Sequence, residues 1–144
     1  MEHSTTEQVA RRWHQDIYLR GNVEAADEIC SPGLVAHGTG VPADAPTGPR
    51  FVCEDAIAMR EAFNILSLTD DDVIACGDRV VIRWTFRAAH VGSFLDVEGT
   101  GRRVSVTGID IFRMEGDRIA EFWTEFNLMD LAEQIGALPI AVEA

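Results

Sequence analysis

Cysteine is scarce in this 144-residue chain: Cys30, Cys53 and Cys76 are odd in number and widely spaced, with no Cys-x-x-Cys or Cys/His cluster. That pattern excludes a disulfide framework and a structural zinc site, and leaves buried free thiols as the expectation. Positive charge is also short, with 12 Lys plus Arg against 24 Asp plus Glu, a formal net charge of -12. Such a surface repels phosphate backbones and anionic membranes, which argues against nucleic acid and membrane as partners. No run approaches the roughly 20 apolar residues of a membrane span, and the N-terminus MEHSTTEQVARRWHQD lacks the apolar stretch of a signal peptide. A cytoplasmic protein is expected. There is no Gly-x-Gly-x-x-Gly or Gly-Lys-Ser/Thr loop for nucleotide phosphates and no Gly-x-Ser-x-Gly nucleophile elbow. Repeats, low-complexity tracts and charged tails are missing too. What remains, 144 residues at 47% hydrophobic content, suits one domain spanning 1-144 around one core.

The periodicity gives helices first and strands after. Ser4-Thr-Thr-Glu7 has the spacing of a capping box, and Val9, Trp13, Ile17 and Tyr18 recur at helical intervals until Gly21-Asn22. A second helical piece runs from Val23 to Ile29. Leu34 to His37 reads as a short strand, and the Gly/Pro/Asp-rich stretch 38-49 as a loop able to act as a lid. A third helical pattern covers Glu54 to Phe63. Strands rich in β-branched and aromatic residues follow at Leu66 to Cys76, Arg79 to His90, Arg103 to Met114 and Arg118 to Phe126, with turns at Gly77-Asp78 and Gly116-Asp117. Asn127 caps a last short helix that Gly136 ends. Three helices before a long antiparallel meander make an α+β pattern, with helices covering one face of a curved sheet.

Side chains alternate across a strand, so each strand divides into two faces, the more apolar one turned inward. On the strand from Arg79 that face is Val80, Ile82, Trp84, Phe86, Ala88, His90; on the next, Val104, Val106, Gly108, Asp110, Phe112; on the last, Ala120, Phe122, Thr124, Phe126. Each inner face carries one polar residue: His90, Asp110 or Thr124. Pairing Met114 with Arg118 sets Asp110 opposite Phe122 and Thr124 opposite Gly108. Asp110 and Thr124 become diagonal neighbours roughly 7–8 Å apart, with Gly108 leaving space above the sheet. A carboxylate among Trp84, Phe112 and Phe122 loses hydration, which raises its pKa toward the range of a general acid/base. Asp110 is therefore the leading catalytic candidate, weighed against a purely structural carboxylate.

Other residues carry weaker signals. His90, near a strand end, is either solvated or a second pocket group. His37 opens the Gly-rich loop at a rim position. His14, beside Trp13, reads as a helix-surface or packing residue, and His3 as part of a disordered terminus. Asp70-Asp71-Asp72 cannot converge on one metal ion, because consecutive strand residues face opposite ways; a solvated strand edge is the reading. Trp123 falls on the outer face with Glu121 and Glu125.

The stretch TGRRVSVTGIDIFRMEGDRIAEFWTEFNLMDLAEQIGALP (Thr100 to Pro139), with RWTFRAAHVG (Arg83 to Gly92), Tyr18-Leu-Arg-Gly-Asn and Pro32 with the strand after it, resembles the SnoaL-like polyketide cyclase family. The resemblance implies an NTF2-like cone, whose helices and concave sheet enclose an apolar pocket, and a homodimer through the outer sheet face. It also implies a cofactor-independent enzyme of lyase or isomerase type that closes rings on polyketide intermediates of antibiotic biosynthesis. In the family's nogalonic acid and aklanonic acid methyl ester cyclases an aspartate of the last strand is the acid/base; here Thr124 matches it. The resemblance adds support for His90 through a His-x-Gly sequence, and for Tyr18 through a tyrosine that influences stereochemistry in one of those cyclases. The expected site is Asp110 and His90 as catalytic groups, with Tyr18, His37, Trp84, Phe112, Phe122 and Thr124 around the substrate, and no metal or cofactor. Since threonine cannot act as a base, two alternatives stand beside the cyclase. One is an epoxide hydrolase, isomerase or templating cyclase of the same fold; the other is a non-catalytic carrier of hydrophobic ligands or an oxygenase accessory.

Overall fold

The computed structural model of the chain describes residues 5–137; His3, Ser4 of the expected capping box, and Pro139 lie outside the described residues. The first helix, α1 (Thr5–Arg12), continues without a break into a π-helical segment, Trp13–Leu19. Its apolar stripe is Ala10, Trp13 and Ile17, each at most 1% exposed. α2 (Ala25–Ile29) is shorter than its sequence pattern, because Val23 and Glu24 form a turn. α3 (Pro49–Ala62) starts five residues ahead of the expected Glu54. Pro49 opens it, a residue suited to the first helical position because that N–H has no helical partner.

The five strands are β1 (Cys30–Gly38), β2 (Phe63–Cys76), β3 (Arg79–His90), β4 (Arg103–Glu115) and β5 (Arg118–Phe126), in the sheet order β1-β5-β4-β3-β2. The sheet is curved and unclosed. Pairing is antiparallel except at the edge, where β1 runs parallel to β5. β1 is longer than Leu34 to His37, since Pro32-Gly33 sits in an irregularity between the paired residues Cys30 and Val35 and does not end the strand. It stops at Gly38, whose φ of 117° suits glycine and where any Cβ would collide with the Thr124 carbonyl of β5.

Burial follows the inward faces along β3 and β4, and along β5 from Phe122 onward. Near the β4–β5 turn the register differs from the expected one. Glu115, not Met114, pairs with Arg118, and a bulge follows, so Met114 pairs with Ile119 and both Ile119 and Ala120 are buried. Beyond the bulge Asp110 lies directly opposite Thr124, and Gly108 opposite Phe126. The first helix packs on this face through Trp13, its ring centroid 4.4 Å from Phe122 and 5.5 Å from Phe112. Burying aromatic rings of this size contributes about 2–3 kcal/mol each. α4 (Leu128–Ile135) is capped by Asn127, whose side chain accepts from the Asp130 N–H at 3.0 Å, and ends at left-handed Gly136. Of the cysteines only Cys30 is buried; Cys53 is half-buried and Cys76 exposed, near a turn the core does not reach. No helix of the described residues is long and apolar enough to cross a membrane.

Candidate active site

Between the helices and the inner face of the sheet lies a cavity of about 270 Å³. Trp13, His14 and Tyr18 of the first helix, Phe51, Asp55 and Met59 of α3, and Trp84, Phe86, Phe122 and Thr124 of the sheet line it. The loop after β1 contributes Thr39 to Val41, and α4 contributes Leu128 and Leu131. The stretch expected as a lid thus forms part of the wall.

His14 is the residue whose placement departs most from expectation. It is buried, 4% exposed, and bridges two acids: Nε2 is 2.7 Å from Asp110 Oδ2 and Nδ1 is 2.8 Å from Asp70 Oδ1. Burial is the largest influence on its pKa and favours the neutral ring. The hydrogen bonds to Asp110 and Asp70, reinforced by their charges, outweigh it and lift the pKa from 6.5 to about 9. At neutral pH the ring is an imidazolium donating at both ends. Asp70 consequently is no solvated edge; its side chain is 4% exposed, with Arg11 Nη1 3.9 Å from its other oxygen. Asp70 pairs with Trp84 and shares its inward direction, and a bulge follows, so Asp71 bonds Thr85 and Asp72 bonds Arg83 instead. Asp70 alone turns inward, while the bulge sets Asp71 and Asp72 together on the outer face around Arg83.

Asp110 uses one oxygen for His14, and the other, Oδ1, is buried without a partner. Trp84 Nε1, diagonal to it across β3 and β4, is a buried donor without a partner. Buried polar atoms are ordinarily satisfied, and such exceptions call for an explanation. Asp110 itself does not border the cavity; His14, bonded to it, and Thr124, opposite it, do. Gly108 leaves no free space, because the Trp84 indole fills the position its Cβ would occupy.

A second polar pair faces the same cavity. The Tyr18 hydroxyl donates to Asp55 Oδ2 at 2.6 Å. Loss of hydration pushes the Asp55 carboxyl up, the Tyr18 hydrogen bond works against that, and the Asp110 charge adds to it. Tyr18 is pushed well above 10.0, by burial first and by Asp55 second.

The other expected site residues lie elsewhere. His90 is fully buried but does not line the cavity; its Nδ1 accepts the Thr100 N–H at 3.2 Å and lies 3.0 Å from Thr100 Oγ1, while its ring packs on Phe63. His37 is on the outer side, stacked on Trp123 and 2.7 Å from Glu121 Oε2. Phe112 is core beneath Trp13. Tyr18, Trp84, Phe122 and Thr124 do reach the cavity.

Sequence reasoning missed His14, Asp70 and Asp55. For two of them a signal existed. His14 is four residues from both Ala10 and Tyr18, and Asp55 lies between Val52 and Met59, so each is a polar interruption of a helical apolar stripe. Both sit where unpaired polar groups are costly. Among the described residues no cluster of three or more His, Cys, Asp or Glu is arranged to hold a metal ion. The chain contains no lysine, so Schiff-base chemistry on a lysine side chain is unavailable to it.

Known structures share this architecture. TsrD from Streptomyces laurentii superposes with a TM-score of 0.84 at 28% identity, over 96% of this chain and 99% of its own. IdmH from Streptomyces antibioticus, a proposed polyketide cyclase, gives 0.76 at 25%, over 93% and 99%. AclR from Streptomyces galilaeus, a proposed hydroxylase, gives 0.78 at 24%, over 93% and 97%, a likeness of fold. No curated protein matches the chain in sequence. The family model of SnoaL-like polyketide cyclases matches residues 8–135, which include the π-helical segment, the cavity strands and α4. With its NTF2-like fold, the chain belongs to the SnoaL-like polyketide cyclase family.

Proposed function

We propose that this protein is a cofactor-independent cyclase that closes a ring within a polyketide-type chain of secondary metabolism. The observation that carries the reading is Asp110, a carboxylate on an apolar sheet face, tied to His14 by one oxygen and unpaired at the other beside an apolar cavity. Ring closure of this kind needs a folded substrate and a proton acceptor. An apolar wall supplies the first by orientation, which can account for a large part of the rate. Asp110 is the acceptor: its Oδ1 is set back from the cavity behind His14 and Thr124, and it takes a carbon-bound proton next to a carbonyl once substrate binding opens that seam. The His14 imidazolium donates to the other oxygen and fixes the orientation of the carboxylate. His90 anchors the β3–β4 connection, and His37 belongs to the outer face.

The same reading includes a cytoplasmic homodimer of a single-domain chain, joined through the outer sheet face. Support comes from Val35, Ile74 and Ile109, which leave apolar surface exposed on that side beside Trp123.

The test is turnover. The purified protein, without additives, is incubated with aromatic polyketides bearing an uncyclised β-keto ester side chain, and products are followed by chromatography and mass spectrometry. An isomeric ring-closed product from the wild type, formed on the order of 10²-fold more slowly by Asp110→Asn, supports the reading. Tight binding of these compounds with no product would replace it with a carrier of hydrophobic ligands.

A further inference from the structure

Asp55 is a carboxylate on the buried stripe of α3, between Val52 and Met59, and it opens onto the cavity. Among the described residues no Arg or His pairs with it. Its hydrogen-bond partner is the Tyr18 hydroxyl at 2.6 Å. A carboxylate placed in an apolar wall with a phenol as its partner is a costly arrangement for packing alone. Tyr18 lies on the π-helical segment that also carries His14, so one irregular stretch of helix presents both proton-bearing groups to the cavity. Such segments are rare and concentrate at functional sites.

We infer that Asp55 and Tyr18 form a second proton-transfer centre, which protonates the substrate oxygen that becomes a hydroxyl as the ring closes. The inference rests on the cyclase reading and assigns it the missing acid. In the step, Asp110 Oδ1 takes the proton from carbon, and the resulting enolate carbon attacks the substrate's second carbonyl. A carbon–carbon bond forms, and the electrons of the C=O bond move to its oxygen. Tyr18, turned toward the cavity, gives its hydroxyl proton to that oxygen while Asp55, in its protonated form, gives its own to Tyr18. The product is an isomer of the substrate. One proton has passed to Asp110 and one has left Asp55; exchange with solvent after product release restores both.

The titratable groups that face Asp55 are Tyr18 from the first helix and the more distant Asp110 from β4, with His14 sharing the wall. Burial and the Asp110 charge favour the protonated carboxyl, and Tyr18 opposes them. As an acid, Asp55 acts below its pKa and ceases to act as the pH rises through it.

Two measurements on the intact protein test this. In the first, carboxyl-¹³C aspartate labelling follows each acid by NMR without ligand, and Asp55→Asn identifies the resonance by its loss. Asp55 should titrate above the ordinary carboxylate value of about 3.9, and higher still in Tyr18→Phe, where the opposing hydrogen bond is gone. In the second, Asp55→Asn, verified as folded by its melting curve, should lower kcat on the order of 10²-fold and lose the alkaline limb that Asp55 gives the pH profile. Ordinary titration of Asp55 overturns the inference whatever the protein's activity, as does a kcat within a few-fold of wild type. A wild type that cyclises nothing while Asp55 titrates high removes the cyclase reading and supports the coupled pair.

Discussion

His14 and Asp110, 96 residues apart in sequence, meet through a 2.7 Å hydrogen bond behind the cavity wall, and Asp70 holds the opposite side of the imidazole at 2.8 Å. The ring neutralises part of a charge that would otherwise be prohibitive in an apolar interior. Its titration is therefore linked to folding. His14 has a pKa of about 9 in the folded chain against 6.5 for the free side chain. A raised pKa contributes stability that is fully present below 6.5 and is lost as pH rises through about 9. The shift corresponds to about 3 kcal/mol. Denaturant melts between pH 6 and 10 should show this loss in the wild type, and a flat profile across that window would contradict the assignment.

Removing the ring should do more harm than the pH change. His14→Ala leaves Asp70 and Asp110 buried without their shared partner, and breaking a buried charge pair in this way costs about 3–5 kcal/mol. Melts of His14→Ala and of the His14→Ala/Asp110→Asn double variant check the expectation: removing the stranded charge should return part of the deficit, and equal losses in both would show that packing, not charge, is the cause.

Asp110→Asn has a signature apart from its rate. It removes one of the two acids that raise His14, so the His14 pKa should fall below about 9 while the ring stays bound to Asp70. Nitrogen NMR of the imidazole through the titration reads this directly. An unchanged midpoint would mean that Asp70 alone sets the charge of the ring.

The inner faces of β3 and β4 were legible from alternation alone, because each strand there is uninterrupted and its polar outer residues mark the parity. Asp110 emerged from that pattern. Its partner did not. His14 interrupts the apolar stripe of its helix, which marks it as inward-facing, but its meeting with Asp70 of β2 and Asp110 of β4 is fixed by tertiary packing that no local pattern reports. His90, favoured in its place, faces inward as parity requires but lies at the Phe63 end of the strand, beyond the cavity. The β4–β5 register went astray by the bulge near Ala120, a feature with no Gly or Pro to announce it. That bulge moves Thr124 from a diagonal position to one directly across from Asp110.

Gly108 supports the cavity wall by making room for Trp84. Gly108→Ala places a methyl against the indole and against Phe126, and overpacking of this kind typically costs 1–3 kcal/mol. The displaced Trp84 should also alter the cavity, so affinity for a fluorescent apolar probe should change along with the melting temperature. A variant as stable as wild type with the same probe affinity would show that the indole has other places to go.

On the outer face, Ile109 is 46% exposed and Ile74 61%, on strands separated by β3. If a second copy covers them, Ile109→Glu should convert the dimer to a monomer in analytical ultracentrifugation and leave the circular dichroism spectrum unchanged. A wild type that sediments as a monomer at micromolar concentration would dispose of the dimer outright.

Thr124 stands where the resemblance places the family's aspartate, and it faces Asp110 across β4 and β5 with backbones in register. Directly paired side chains have their Cβ atoms about 4.5–5.5 Å apart, so Thr124→Asp would set a second carboxylate beside Asp110 in a wall that offers His14 alone as a cation. Two acids so placed cannot both ionise cheaply; one pKa rises strongly. The variant should lose about 2–4 kcal/mol at pH 7.5, by the cost of an unpaired buried charge, and recover much of it near pH 5, where one acid is protonated. Turnover separates two roles for the new group. Normal or increased activity in a variant that remains folded means that the added carboxyl joins the proton-transfer machinery, as the aspartate does in the nogalonic acid type of cyclase. Loss of ligand binding without loss of fold means that Thr124 is there for its shape, with its methyl group completing the apolar surface against which the substrate folds.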